Sequence, residues 1–449
     1  MNTRVCVADI KDGLESHDQE RLQRALEGVH PADAARIIGT FPPDQIAAYV
    51  GIVGVHAARE AFQFLPFETQ EKVLEILSPD ILGHLVTLLS PDDRADLFEK
   101  LDPDFRERLL SLLIRRERQE IMQLLTYPDD SAGAYMTTDY ASLSKDLSIP
   151  DALDQLRIQA PTRETIYYAY VVDGARHLIG FVSLQDLILA PRHSRVEKIM
   201  HREVISVNVK DDIEEVAKLM SHYDFLAVPV VDEERRLVGI ITHDDILDVV
   251  QEEATEDMYR LASLDTNERI DSPIPKSIRL RLPWLLLNLG TSLIAASAVS
   301  FFSQTIEQVV ALASMMTVVA TLGGNSGNQA LTIVVRSMAL EEGSIRNKTA
   351  IVLKSLGVGL VNGLICGLAV ALLSYAWFGN GWLSALVCVA MTLNLASSGL
   401  FGALVPITLR KLKLDPALGS SVLLTTITDT GGFLILLGLA TLFVRQLMA

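Results

Sequence analysis

The spacing of apolar positions along the chain changes twice, dividing it into three stretches. Over residues 20–125 the apolar runs are short and punctuated. Proline recurs at 31, 43, 79, 91 and 103, positions separated by multiples of twelve, and Pro66 lies one residue off that frame. Leu77-Ser78-Pro79-Asp80, Leu89-Ser90-Pro91-Asp92-Asp93 and Leu101-Asp102-Pro103-Asp104 repeat one pattern. A Ser or Asp before Pro reads as an N-cap followed by proline at the first helical position. The stretch is expected to be an α-helical superhelix of one-to-two-turn helix pairs, whose units bury their apolar faces only against neighbours. A single irregular helical bundle is the alternative.

From 136 to 250 the pattern becomes alternating strands and helices, and it occurs twice. Ile166–Asp173 and Leu178–Ile188 form the first copy, Phe225–Asp232 and Leu237–Leu247 the second. Each copy reads as an apolar strand, a polar turn, a strand centred on Gly and an Asp-capped helix start. Met136-Thr137 and Met200-His201 open the copies. The two matching copies resemble a tandem pair of CBS domains, an α+β module that is regulatory in its family, often dimeric and often ligand-sensing. Residues 251–280 follow as a connector: a charged helix from Gln251 to Leu261, broken by Asp271-Ser272-Pro273-Ile274-Pro275.

Beyond 280 the chain turns apolar in five segments, about 283–303, 309–335, 350–376, 382–409 and 418–444. Each is long enough for a hydrocarbon core of about 30 Å. Lys276, Arg279 and Arg281 precede the first; Arg346, Lys348 and Lys354 lie between the second and third; Arg410, Lys411 and Lys413 lie between the fourth and fifth. The connection at 375–382 has no Lys or Arg and carries interfacial aromatics. The positive-inside rule then places the soluble parts inside, in the cytoplasm, and the C-terminus outside; the membrane is expected to be the cell (inner) membrane. The expected domains are 1–130 (helical), 131–250 (CBS pair), 251–280 (connector) and 281–449 (all-α, five spans).

Charge sharpens this division. The chain carries −17 overall; residues 281–449 carry +4, so residues 1–280 carry −21. That balance disfavours nucleic acid and favours cations as partners, with a solvated acidic surface as the plain alternative. The N-terminal residues show no apolar core of a signal peptide. Cys6, Cys366 and Cys388 and the nine histidines are scattered without metal-site spacing, so they read as structural or solvated. No nucleophile–base pair or P-loop marks an enzyme.

Two polar features within the apolar segments are costly and therefore informative. Asp429, in Thr425-Thr426-Ile427-Thr428-Asp429-Thr430-Gly431-Gly432, lies about eleven residues, roughly 17 Å, from the cytoplasmic end of the fifth segment. In the second segment, Gly323-Gly324-Asn325-Ser326-Gly327-Asn328-Gln329 places Asn325 at a similar depth. Glycines permit close helix approach or a loosened backbone, and the polar side chains supply oxygens to a wet path. A small-residue packing interface and a protonated structural carboxyl are the alternatives. A lone carboxylate among hydroxyls and amides suits a hard cation such as Mg²⁺, held hydrated. A two-fold dimer would double the charge on a central path.

The whole layout, and above all the 323–329 run and Asp429-Thr430-Gly431, resembles the MgtE family of magnesium channels. The resemblance implies a homodimeric membrane protein with Asp429 as the ion-selecting residue. Asn325, Asn328, Thr425, Thr428 and Gly431 would line the same path. It implies closure by regulatory Mg²⁺ bridging acidic residues. The matching positions are Asp92, Asp93 and Asp96; Glu214, Asp224, Asp245 and Asp248; Glu253, Glu256 and Asp257; and Asp415. Independently of the family, clustered carboxylates repel when bare and draw together when divalent cations neutralise them. ATP enters as a ligand of the CBS cleft, but Gln185 precedes Asp186 where nucleotide-binding members carry Arg, which argues against it here. A coupled carrier exchanging Mg²⁺ for Na⁺ or H⁺, with Co²⁺ or Mn²⁺ as further cargo, and a membrane-anchored CBS sensor are the rival readings.

Overall fold

The computed structural model describes residues 3–270, 272–339, 348–417 and 419–448. Arg346, Asp271 and the side chain of Cys6, used in the readings above, lie outside the described residues. Two compact units result, Met1–Gln251 and Glu252–Ala449.

The first unit begins with ten helices: α1 (Thr3–Ser16), α2 (Gln19–Leu26), α3 (Pro31–Ile38), α4 (Pro43–Val53), α5 (Val55–Phe62), α6 (Phe67–Ile76), α7 (Pro79–Leu88), α8 (Pro91–Lys100), α9 (Pro103–Leu112) and α10 (Arg115–Leu124). The prolines of the twelve-residue frame each occupy the first turn of α3, α4, α7, α8 or α9, where no backbone N–H is needed. Pro66, off the frame by one, is the N-cap of α6 instead. Ser90 and Asp102 accept the backbone N–H of Asp93 and Asp104. Helices pack two places apart (α2 on α4, α3 on α5, α4 on α6, α5 on α7, α7 on α9, α8 on α10), which is the stacking expected of a superhelix. One apolar core runs through them from Ile10 to Ile121.

The rest of the unit is two matching modules. The first holds β1 (Tyr140–Ser144), α11 (Ile149–Gln159), β2 (Thr165–Val172), β3 (Leu178–Ser183), α12 (Leu184–Leu189) and α13 (Val196–Ile199); the second holds β4 (Val207–Asn208), α14 (Ile213–Tyr223), β5 (Ala227–Val231), β6 (Leu237–Thr242) and α15 (His243–Leu261). Each sheet has one parallel and one antiparallel pair, β1-β2-β3 and β4-β5-β6. The dipeptides that open the copies cross over: Thr137 bridges Ile240 of the second sheet, and His201 bridges Phe181 of the first. This crossing explains the glycine at the centre of each strand. A Cβ on Gly180 would lie 2.8 Å from the His201 carbonyl oxygen, and one on Gly239 2.8 Å from that of Thr137. The charged helix expected over 251–261 is the end of α15, which runs without Gly or Pro from His243 to Leu261; Ser263 then turns left-handed (φ 57°), well before Asp271.

The second unit contains α16 (Ile274–Phe301), α17 (Ser303–Gln308), α18 (Ala311–Ala339), α19 (Lys348–Phe378), α20 (Gly381–Lys411), α21 (Ser420–Leu442) and α22 (Val444–Met448). By length and composition α16, α19, α20 and α21 can cross a membrane. The remaining apolar segment of the sequence, 309–335, falls on α18. The 29-residue α18 is long enough, but the polar run 323–329 dilutes its apolar character, and its helix continues through that run without unwinding. α19 and α20 touch backbone to backbone along Gly359, Gly363 and Gly367. A Cβ there would lie 2.4 Å from the Leu395 carbonyl oxygen, 2.8 Å from the Thr392 Cα and 2.8 Å from the Cys388 carbonyl oxygen. Small residues at every fourth position let membrane helices approach this closely. Gly363→Leu should therefore force α19 from α20 at a cost of about 1–3 kcal/mol, read as a lowered melting temperature of the detergent-solubilised protein; an unchanged melting curve would mean that the contact is slack.

Candidate functional site

Asp429 is half-buried on α21, and among the described residues no basic side chain lies against it. It forms part of the wall of a polar cavity of about 260 Å³. The α21 side of this cavity consists of Ser421, Val422, Thr425, Thr426 and Asp429, and the α16 side of Asn288, Thr291, Ser292 and Ala295; Ser263 completes it. The periodicity of α21 sets its side: Ser421, Thr425 and Asp429 recur every fourth residue and share one helix face. The Ser263 and Ser421 hydroxyls meet at 3.0 Å. The connector is further tied to α16 by Glu268, buried and paired with Arg281 at 2.6 Å.

The glycine-rich run of α18 reaches the same place. A Cβ on Gly324 would stand 4.0 Å from both Asp429 Oδ1 and Thr428 Oγ1. Thr428 itself is buried and donates to the Thr425 carbonyl, whereas Thr425 is exposed. Gly431 is half-buried with open space beside it. Asn325 and Asn328 sit on an exposed face of α18. One residue that sequence reasoning passed over is Asn394 of α20. It is 1 % exposed, donates from Nδ2 to the Val319 carbonyl at 2.8 Å, and fills the space left by Gly323 and Gly432. Its signal was present as the one Asn inside the 382–409 segment. Asn288, Thr291 and Ser292 were missed as well, because their neighbours in sequence are uniformly apolar.

In the first unit a carboxylate cluster joins the start of α8 to the CBS modules. Asp92 is raised to about 6, first by burial and then by Asp93; its Oδ1 has no hydrogen-bond partner. Asp96 is also raised to about 6, and Asp93 is raised. Both side chains are exposed, so neighbouring protein takes only part of their hydration. Asp245, at the start of α15, is raised to about 8 by burial and by Asp92, although the Thr242 hydroxyl bonds it. Glu164, just before β2, is raised to about 7 by burial, Asp92, Asp244 and Asp93. Asp139 is raised by burial and pairs with Arg163 at 3.0 Å; Arg94 acts on Asp139 and Arg59 on Asp93. Glu164, Asp244 and Asp139 were not singled out from sequence, since they are brought together only by the crossing of the modules.

The other acidic positions are placed differently. Glu214 pairs with Lys218 at 2.8 Å, Asp224 ends α14 in a left-handed conformation, and Asp248 is exposed on α15. None of the three figures among the carboxylates that raise Asp92, Asp96, Glu164 or Asp245. Glu253 and Asp257 are both partnered on α15. Glu256 and Asp415 meet on one guanidinium, that of Arg260. Asp186 is held by Ser183 in a capping box and lies 3.1 Å from His201 Nε2. Among the described residues, no three His, Cys, Asp or Glu side chains converge as a complete metal-ligand set. The all-oxygen donors and the orphaned Asp92 Oδ1 fit a hydrated Mg²⁺ that neutralises by charge, since this ion keeps much of its water. An open groove of about 510 Å³ on the helical domain, between Glu75 and α9, is also lined by Asp102, Asp104, Glu107 and Arg108.

Residues 316–439 match the family model MgtE, described as a divalent cation transporter; residues 29–130 match the MgtE intracellular N domain, and 132–193 and 196–252 match CBS domains. The chain is 40 % identical over 332 residues to the magnesium transporter MgtE of Thermus thermophilus, covering 74 % of each chain. It is 38 % identical over 331 residues to that of Bacillus subtilis, covering 74 % of this chain and 73 % of the relative. Two solved structures resemble the soluble part. One is the cytosolic domain of the Mg²⁺ channel MgtE in complex with ATP (39 % identity, TM-score 0.51, 54 % of this chain and 99 % of that one). The other is the soluble part of a magnesium transporter (32 % identity, TM-score 0.54, 56 % and 100 %). With a soluble helical domain, a crossed CBS pair and a carboxylate-bearing membrane unit all matched along one chain, this protein belongs to the MgtE family of divalent cation transporters.

Proposed function

We propose that this chain is a homodimeric Mg²⁺ channel of the inner membrane, with its soluble domains in the cytoplasm and its C-terminus outside. Its path passes Asp429 and closes when cytoplasmic Mg²⁺ neutralises the carboxylate cluster. The observation that carries the reading is the half-buried carboxylate of Asp429 on the wall of an oxygen-rich cavity among apolar helices. A charge at that depth is costly unless water or a cation meets it. Asn325 and Asn328 support a dimer. They present amides on an uncovered face of a helix at membrane depth, and a second copy across a wet path would satisfy them. Thr425, Thr428 and Gly431 complete the α21 side of the path. The magnesium transporters named among its relatives support Mg²⁺ as the cargo.

For gating, Asp92, Asp93, Asp96 and Asp245, joined by Glu164 and Asp244, form the part of the regulatory set that the fold gathers. Glu214, Asp224, Asp248, Glu253 and Asp257 would add to the Mg²⁺-attracting field. At Glu256 and Asp415, Arg260 supplies the positive charge. ATP is a ligand of the related cytosolic domain; with Gln185 beside an Asp186 whose Oδ2 is already held by Ser183 and His201, nucleotide is not part of the mechanism proposed for this chain.

Mg²⁺ influx into proteoliposomes loaded with an indicator dye tests the path. Asp429→Ala should reduce influx to that of empty vesicles, and wild-type influx should fall as Mg²⁺ on the cytoplasmic face rises. Wild-type flux through Asp429→Ala would remove the reading.

The cluster also makes a pH dependence. Asp92, Asp96, Glu164 and Asp245 hold protons at about 6 to 8 when packed together, well above their ordinary 3.8 to 4.5. The assembled form therefore binds more protons than the separated one, and stability falls as pH rises through that window. Arg59, Arg94, Arg163 and Lys100 face the same groups and soften the effect without reversing it. In EDTA the full chain should melt at a lower temperature at pH 8.5 than at pH 5.5. Mg²⁺ should restore the loss at pH 8.5, and Asp245→Asn should flatten both responses. A flat wild-type profile would show that the cluster does not gate.

A further inference from the structure

We propose that Asn288, Thr291 and Ser292 of α16 form the second wall of the ion path, an acceptor-lined cradle for a divalent cation carried with its water shell opposite Asp429. The inference rests on Asp429 as the transport residue and adds a specificity-determining surface on a second helix.

α16 is the least buried of the four apolar helices long enough to cross a membrane. Leu285, Leu286, Leu289, Leu293 and Ile294 are all more than half exposed, and among its described side chains only Ala295 is buried. Positions 288, 291, 292 and 295 recur at helical spacing and form one face. Three of the four are polar, and this face lines the cavity shared with Asp429. On a helix otherwise made for hydrocarbon, an Asn-Thr-Ser face needs polar company.

Hydrogen-bonded glue between helices is the ordinary explanation for such a face. It would require α16 and α21 side chains to bond one another. Instead, the three threonine hydroxyls of the cavity donate within their own helices: Thr291 to the Asn288 carbonyl at 2.9 Å, Thr425 to that of Ser421 at 2.8 Å, and Thr426 to that of Val422 at 2.7 Å. With each of those protons committed, the hydroxyl oxygens are left as acceptors. The Thr291, Thr425 and Thr426 oxygens and the Asn288 Oδ1 thus offer acceptors around a single carboxylate, a set that repels anions and receives groups that donate outward, as the waters around a cation do. The size agrees. Six waters at about 30 Å³ each occupy about 180 Å³, within the cavity of about 260 Å³. Mg²⁺ releases water reluctantly, so a path that reads the shell through Asn288, Thr291 and Ser292 requires no dehydration.

The test uses the full-length protein in proteoliposomes and two readouts: Mg²⁺ influx, and block of that influx by cobalt(III) hexaammine, an inert cation whose N–H groups point outward as those waters do. Thr291→Val keeps the side-chain shape and removes the acceptor; Asn288→Leu removes the amide. Each should lower influx at least tenfold and raise the half-blocking hexaammine concentration about tenfold, whereas Thr291→Ser should retain both. Gly290→Ala, whose added methyl meets nothing within 4 Å, should behave as wild type. Should Asn288→Leu fail to elute as folded protein, Thr291→Val and Ser292→Ala decide the matter. Wild-type influx and block in Thr291→Val and Ser292→Ala, with Asp429→Ala dead in the same assay, would overturn the cradle alone. If Asp429→Ala also transports normally, the underlying path reading is overturned with it.

Discussion

A carboxylate among helices suited to hydrocarbon must be met by water, a proton or a cation, because the surrounding apolar medium solvates none of its charge. Much of the second unit can be understood from that constraint on Asp429. Gly324 lets α18 come against α21 without a side chain to cover the carboxylate, and Gly323 leaves room for Asn394 of α20. Asn394 braces the approach from α20 through the Val319 carbonyl. The glycine stripe of α19 closes the far side of α20. The space left over is polar, opens beside Asp429 and is walled by hydroxyl and amide oxygens.

The soluble unit meets the same constraint in another form. Bringing α8 to the CBS modules crowds Asp92, Asp93 and Asp96 against Asp244, Asp245 and Glu164, where protein excludes much of the bulk water. Burial raises these groups first, and mutual repulsion raises them further. Three arginines offset part of the excess negative charge without abolishing it. On the gating reading proposed above, such an assembly responds to whatever supplies positive charge, whether proton or divalent cation, and its response needs no rigid inner-sphere cage. Mg²⁺ is suited to that role because it acts through its waters.

The connector shows how the fold can assign a counter-ion that composition cannot. Glu256 and Asp415 carry charge that suits Mg²⁺ in the sequence, yet one guanidinium reaches both. Arg260 lies one turn beyond Glu256 and 155 residues before Asp415. The first spacing makes an ordinary helical ion pair; the second exists only because Asp415 returns to the connector.

The sequence by itself determined whatever depends on local spacing. Prolines at twelve-residue intervals start helices because proline at the first turn forfeits no hydrogen bond, and the paired strand–Gly–strand runs declare two modules. The lone Asp429 announces itself because a charge in an apolar run is expensive wherever the helix lies. Tertiary structure alone decided which distant groups meet. Thr137 crosses Gly239 only because the two modules exchange their opening segments. Glu164 and Asp244 join Asp92 by that same crossing. The polar face of α16 gains meaning from Ser421, Thr425 and Asp429, more than a hundred residues away. Periodicity reports which face of a helix differs from the rest; only packing decides what that face looks at.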